Sequence, residues 1–168
     1  KNLENNVIQY KNTIYRLSSE TISTIYYKKK KKKTLIGYEN GLIIVINEID
    51  GKMLNVVDII NKSIPANTKK VNHFMEYENI VYVSCDFGIV QYNLKTLQFG
   101  DTYFIGDGGA LIAVSQTAIF QDNIYAATLN SGIRRALITN PNLNDYNQWT
   151  TITGGSWLGI TAFNSKLY

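Results

Sequence analysis

The chain is short of the residues on which most chemistry depends. Its 168 residues include one cysteine, one histidine, two prolines and two tryptophans. A lone thiol, Cys85, excludes a disulfide framework and any zinc site built on paired cysteines. A lone imidazole, His73, gives a Ser/Cys–His–carboxylate triad only one place to form. No Asp-rich calcium loop is present. No apolar run approaches the roughly 18 residues that a membrane-spanning helix needs, so the chain is expected not to span a membrane. No signal-peptide pattern opens it; it starts at Lys1 in mid-pattern, which says nothing of an upstream leader. Helical periodicity of useful length is missing as well.

Basic charge is scarce outside one place. The formal net charge is +4, yet Lys28 to Lys33 form an unbroken run of six lysines, and without them the balance is −2. Nucleic-acid binders spread Lys and Arg over a face with aromatics between them, so no nucleic-acid partner is expected. The run itself reads as a solvated hairpin tip, with attraction for phosphate, acidic lipid or acidic polysaccharide as the alternative.

What is abundant is strand and turn material. At 45% hydrophobic and 18% charged the composition is globular. The 12 tyrosines, with many Ile, Val and Thr, suit a pleated surface, and Asn and Gly recur as turn residues.

The arrangement is periodic. Tyr77-Glu78-Asn79-Ile80-Val81-Tyr82 aligns with Phe120-Gln121-Asp122-Asn123-Ile124-Tyr125 and with Phe163-Asn164-Ser165-Lys166-Leu167-Tyr168, at offsets of 43 and 43 without a gap. Each reads as a strand end, a tight polar turn and a strand start. An earlier copy has the lysine run as a longer connection, between Ile25-Tyr26-Tyr27 and Leu35-Ile36-Gly37. A second signature follows. Leu35 to Leu42, with Gly41, corresponds to Tyr82 to Ile89, with Gly88. With one residue inserted nearby, both correspond to Ala126 to Ile133, with Gly132. Third strands are expected at Leu42 to Ile46, Ile89 to Asn93 and Ile133 to Ile138, and fourth strands at Lys52 to Val57, Gln98 to Phe104 and Gln148 to Ile152.

Four short strands at this period describe a propeller blade. The expected fold class is therefore all-β: a β-propeller of four-stranded antiparallel blades with a period of about 43 residues, partial, and drawn from a seven-bladed ring. Residues 1–18, with a hairpin at Asn5 to Leu17, are assigned to the end of a blade. Residues 19–62, 63–105 and 106–153 are each assigned a blade, and 154–168 the start of another. A closed seven-bladed ring at this period needs roughly 300 residues, so the chain is expected to be part of a longer protein.

Alternating strand direction sorts the loops onto two faces. The lysine hairpin shares one with Glu48 to Gly51, Lys95 to Leu97 and the long Asn140 to Asn147 loop. The other carries Glu39-Asn40, Asp86-Phe87, Asn130-Ser131 and the blade linkers at Ser63 to Lys70, Gly106 to Ala110 and Gly154 to Trp157. Ligands of propellers commonly bind on that second face or at the channel mouth, an analogy at the level of fold.

Candidate chemistry is thin. Gly106-Asp107-Gly108-Gly109 looks like a phosphate-cradling loop but lacks the GK[ST] ending and a following helix, and reads as a linker. His73 and Cys85 lie one strand apart in the same blade without an evident activating partner. The inner strands offer mainly Glu76, whereas a glycosidase needs two facing carboxyls. Trp149, Trp157 and the tyrosines suit sugar stacking, or else packing between blades. No catalytic, cofactor-binding or metal-binding residue is assigned, no cofactor is expected, and the chain is read as non-enzymatic.

Thr34-Leu35-Ile36-Gly37-Tyr38-Glu39-Asn40-Gly41 resembles the propeller repeats of Bacteroidetes surface and sensor proteins, including two-component-regulator propellers. Asp101-Thr102-Tyr103-Phe104-Ile105-Gly106, then Ile119 to Thr128, then Asn140 to Trp149 resemble, in order and spacing, the N-terminal propeller of PorZ-type proteins of the type IX secretion system. Gly132 after an extra residue, and Arg134-Arg135 in place of an aromatic-rich third strand, depart from that pattern. The resemblance implies a surface protein of two propellers and a small β-domain. It implies protein partners in a surface secretion and sortase complex, binding of lipopolysaccharide or another glycan, and a place on the extracellular side of the outer membrane. Two other readings are a periplasmic oligosaccharide-sensing propeller of a hybrid two-component regulator and a carbohydrate-active propeller enzyme.

Overall fold

The computed structural model describes residues 18–168. The hairpin expected at Asn5 to Leu17, and all but the last residue of the 1–18 blade end, lie outside the described residues.

Each pair of signatures folds into one sheet. The first contains β1 (Ile22–Lys28), β2 (Lys33–Tyr38), β3 (Ile43–Asn47) and β4 (Met53–Val56). The second contains β5 (Val71–Tyr77), β6 (Ile80–Cys85), β7 (Gly88–Asn93) and β8 (Gln98–Tyr103). The third contains β9 (Val114–Phe120), β10 (Asn123–Thr128), β11 (Ile133–Leu137) and β12 (Thr150–Thr153). A hairpin of β13 (Ala162–Phe163) and β14 (Lys166–Leu167) follows. Within every sheet the strands lie side by side in chain order, each antiparallel to the next.

The sheets stack face to face, which explains the unbroken apolar character of the middle strands. Val81 and Val83 join Leu35, Ile43 and Val45 in a core between the first two sheets. Tyr82, from the other side of the same strand, joins Ile124, Ala126 and Trp149 between the second and third. A strand buried on both faces has no solvent side on which polar residues would alternate.

Turn chemistry fixes the registers. Gln121 and Asp122 both take positive φ, 46° and 59°, as do Asn164 and Ser165, 47° and 56°. Two left-handed residues in a two-residue loop make the type I′ geometry that matches strand twist. The repeat glycine behaves likewise: Gly41, Gly88 and Gly132 have φ of 90°, 141° and 76°. A Cβ on Gly88 or Gly132 would also lie 2.2 Å from the Tyr103 carbonyl oxygen or 1.9 Å from that of Thr153. Those turns therefore need glycine twice over, for φ and for space.

Two local expectations change. The extra residue of the third blade sits in its β10–β11 turn, so the counterpart of Leu35 and Tyr82 is Tyr125 and not Ala126. These three pair with Tyr26, Met75 and Ala118 at matching positions of the inner strands. The fourth strand of the third sheet starts at Thr150 instead of Gln148, because Tyr146–Gln148 form a 3₁₀ turn capped by the Asp145 carboxylate. That turn carries Tyr146 to 3.7 Å from where a Cβ on Gly109 would stand. The end of the 140–147 loop thus reaches the linker face and does not stay with the lysine hairpin. Among the described residues no helix is long and apolar enough to cross a membrane.

Candidate functional site

The linker face carries a small built surface at the inner strands. Each of these strands has a register shift near its start, after Ile22, Val71 and Val114. The bulged residue turns its side chain toward the next sheet. Ser23 Oγ donates to the Val71 carbonyl at 2.6 Å, Asn72 Nδ2 to that of Val114 at 2.9 Å, and Ser115 Oγ to that of Trp157 at 2.7 Å. The same backbone carbonyl is clasped at each of these three junctions. Asn72 Nδ2 also donates to Asp86 Oδ1 at 2.7 Å, and Lys70 pairs with Glu39 at 3.5 Å. Ser23, Lys70, Asn72, Ser115 and Leu129 line an open pocket of about 250 Å³ there. The hydroxyl and amide protons there are spent on backbone carbonyls and Asp86, so the rim offers hydroxyl and amide oxygens as acceptors and Lys70 as its cation.

The opposite face is organised by the lysine hairpin, which is more structured than a bare solvated tip. Lys28 closes β1, Lys29–Lys31 form a 3₁₀ turn, and Lys33 opens β2. Lys28 Nζ lies 2.7 Å from Glu76 Oε2, whose side chain is only 3% exposed. Tyr26 donates to the same oxygen at 2.9 Å, and Lys31 Nζ donates to Asn79 at 2.9 Å. Burial, with the Glu76 carboxylate beside it, pushes the Tyr26 hydroxyl up to about 12. Glu76, the one inner-strand carboxylate singled out from sequence, therefore pins the first sheet to the second.

The remaining candidates resolve into packing. Val71 pairs with Cys85 and His73 with Ser84, and no hydrogen bond joins the imidazole to the thiol. Cys85 is fully buried, which pushes its pKa well up and keeps it a neutral thiol. His73 shares a 3.4 Å contact with Gln116, and burial lowers its pKa. Trp149 is buried, donates to the Leu143 carbonyl at 2.9 Å and packs on Tyr103, with ring centroids 6.2 Å apart. Trp157 is 40% exposed, its indole donating to the Gly154 carbonyl at 3.0 Å. In the 106–109 linker, Asp107 reaches Arg134 at 2.8 Å, and that guanidinium holds its carboxyl below the usual range. Among the described residues no group of three or more His, Cys, Asp or Glu is placed to hold a metal.

Sequence reasoning missed the clasp residues. Their signal was a small polar residue directly after the first apolar residue of each inner strand: Ile22-Ser23, Val71-Asn72, Val114-Ser115.

Comparison with known proteins decides the family. The model of the N-terminal β-propeller domain of PorZ, of the type IX secretion system, matches residues 1–150. The chain belongs to the PorZ N-terminal β-propeller family. Among solved structures it is similar to PorZ of Porphyromonas gingivalis, described as an essential bacterial surface component of that system. The TM-score is 0.75 and the identity 22%, over 93% of this chain and 20% of that one. It is also similar to the extracellular domain of a hybrid two-component system of B. thetaiotaomicron, with a TM-score of 0.61 and 14% identity over 89% of this chain and 19% of that one. The designed Ika4 protein is similar at a TM-score of 0.64 and 12% identity, over 90% of this chain and 86% of Ika4. These likenesses show the propeller fold. The chain spans about a fifth of the length of the PorZ structure. No curated protein matches at a significant level.

Proposed function

We propose that this PorZ-family propeller segment is a non-enzymatic binding module of a cell-surface component of type IX secretion. It holds protein partners of the secretion and sortase complex and contributes to the attachment of cargo to anionic lipopolysaccharide. The observation that carries this reading is the family match over residues 1–150, which ties the chain to PorZ. The geometry supports a binding role: bulged polar residues make a rigid, open rim on the linker face. The groups most suited to catalysis are engaged elsewhere, Glu76 under Tyr26 and Lys28 and Cys85 in the core.

Affinity purification of the full-length protein from its native host tests the reading. Lys70→Glu combined with Asn130→Arg on the linker face should reduce co-purified partners several-fold, while Lys95→Glu on the opposite face should not. Equal recovery from all three proteins would remove the linker face from the binding function.

A further inference from the structure

Arg134 stands where its counterparts are aliphatic. The strand ladders make Ile44, Val90 and Arg134 equivalent, paired in turn with Ile36, Val83 and Ala126. Ile44 and Val90 are fully buried. Arg134 keeps that burial, with its side chain 7% exposed, and Ala126 in place of a larger neighbour leaves room for the guanidinium. A charge in such a slot costs free energy unless it is paired and hydrogen-bonded throughout.

The pairing is incomplete and comes from an unusual direction. Arg134 Nε is buried without a partner. Among the described residues the carboxylate that pairs with Arg134 is that of Asp107, whose side chain is 91% exposed and lies on the Gly106–Gly109 linker. The carboxylate thus approaches from solvent, along a path that opens to the linker face. Gly108 faces open space, and the Tyr146 ring lies against Gly109 beside it. The two motifs that the fold alone does not require, the glycine-rich linker and the arginine in the third strand, meet at this one contact.

We propose that Arg134 is a carboxylate-binding site on the linker face, occupied in cis by Asp107 and opened to a carboxylate of an incoming ligand when the linker moves. Asp107 acts as a tethered competitor, and the guanidinium offers the fork geometry that favours a planar carboxylate over a point charge. A tethered group competes at an effective concentration of roughly millimolar, so the site stays closed to dilute monovalent anions.

Calorimetric titration of the full chain with acetate, at ionic strength matched with chloride, tests this. Asp107→Asn should bind acetate at least about tenfold more tightly than the wild type, because the competitor is gone. Arg134→Ile, which restores the residue type of the other blades, should fold and bind none. Should Asp107→Asn prove unfolded in chloride, refolding in acetate supports the site and failure in both salts overturns it. Acetate binding by Arg134→Ile, or no gain in folded Asp107→Asn, overturns it too. Inorganic phosphate binding more tightly than acetate would overturn the carboxylate assignment.

Discussion

At the scale of single residues, the blade geometry rests on a few positions whose physics is unambiguous. Gly132 combines a φ of 76° with a carbonyl oxygen 1.9 Å from any added Cβ. Gly132→Ala should therefore lower stability by more than about 2 kcal/mol, read from the urea midpoint, since the left-handed penalty alone is about 1–2 kcal/mol. Tyr92 poses the opposite case. Its hydroxyl is buried without a partner, and burial, with Asp58 nearby, pushes its pKa up to about 12. The folded pKa lies above the unfolded value near 10. This contribution to stability is thus complete below pH 10 and lost as pH rises toward 12. Tyr92→Phe should be neutral or stabilising by up to about 1 kcal/mol at pH 7, and should flatten the loss of stability above pH 10. Denaturant titrations of both proteins across that range check it. Cys85, fully buried, should react with a thiol reagent only as fast as the second sheet opens, which the time course of modification measures.

At the scale of elements, the sheets are joined by apolar faces and by the recurring clasp from each inner strand to the next. Ser115→Ala removes the one hydroxyl donor within reach of two carbonyls, those of Ala127 and Trp157, and should cost about 1 kcal/mol. Ser23→Ala removes one bond and should cost about 1 kcal/mol. They act at different junctions, so the double variant should show the sum within about 0.5 kcal/mol in equilibrium unfolding. Strands were readable from sequence because their turns are: Glu78-Asn79, Gln121-Asp122 and Asn164-Ser165 mark each first hairpin, and Gly41, Gly88 and Gly132 each second turn. The fourth strand of the third sheet was not, because Asp145 caps a 3₁₀ turn that runs into Gln148. The clasp was illegible for another reason. Ser and Asn at a strand start look like ordinary turn flanks, and only the bulge turns them toward the neighbouring sheet. Partners far apart in sequence, such as Lys28 with Glu76 or Asp107 with Arg134, likewise have no local signature.

At the scale of the molecule, stacked four-stranded sheets set two loop faces of different character. One is gathered around a lysine hairpin tied down by Glu76 and Asn79, the other around the polar rim of Ser23, Asn72 and Ser115. A stack whose polar groups are spent on holding blades together presents two fixed loop faces, and the chain belongs to the PorZ N-terminal propeller family. The proposed role of the protein carrying this propeller is to serve cargo attachment at the cell surface by binding. Its most direct test is the amount of cell-surface cargo in the native host after deletion of the gene, with complementation by wild type and by the Lys70→Glu, Asn130→Arg protein. Surface-attached cargo should be lost on deletion, return with the wild type, and stay low with the linker-face variant at equal expression. Undiminished surface cargo in the deletion strain would contradict that role.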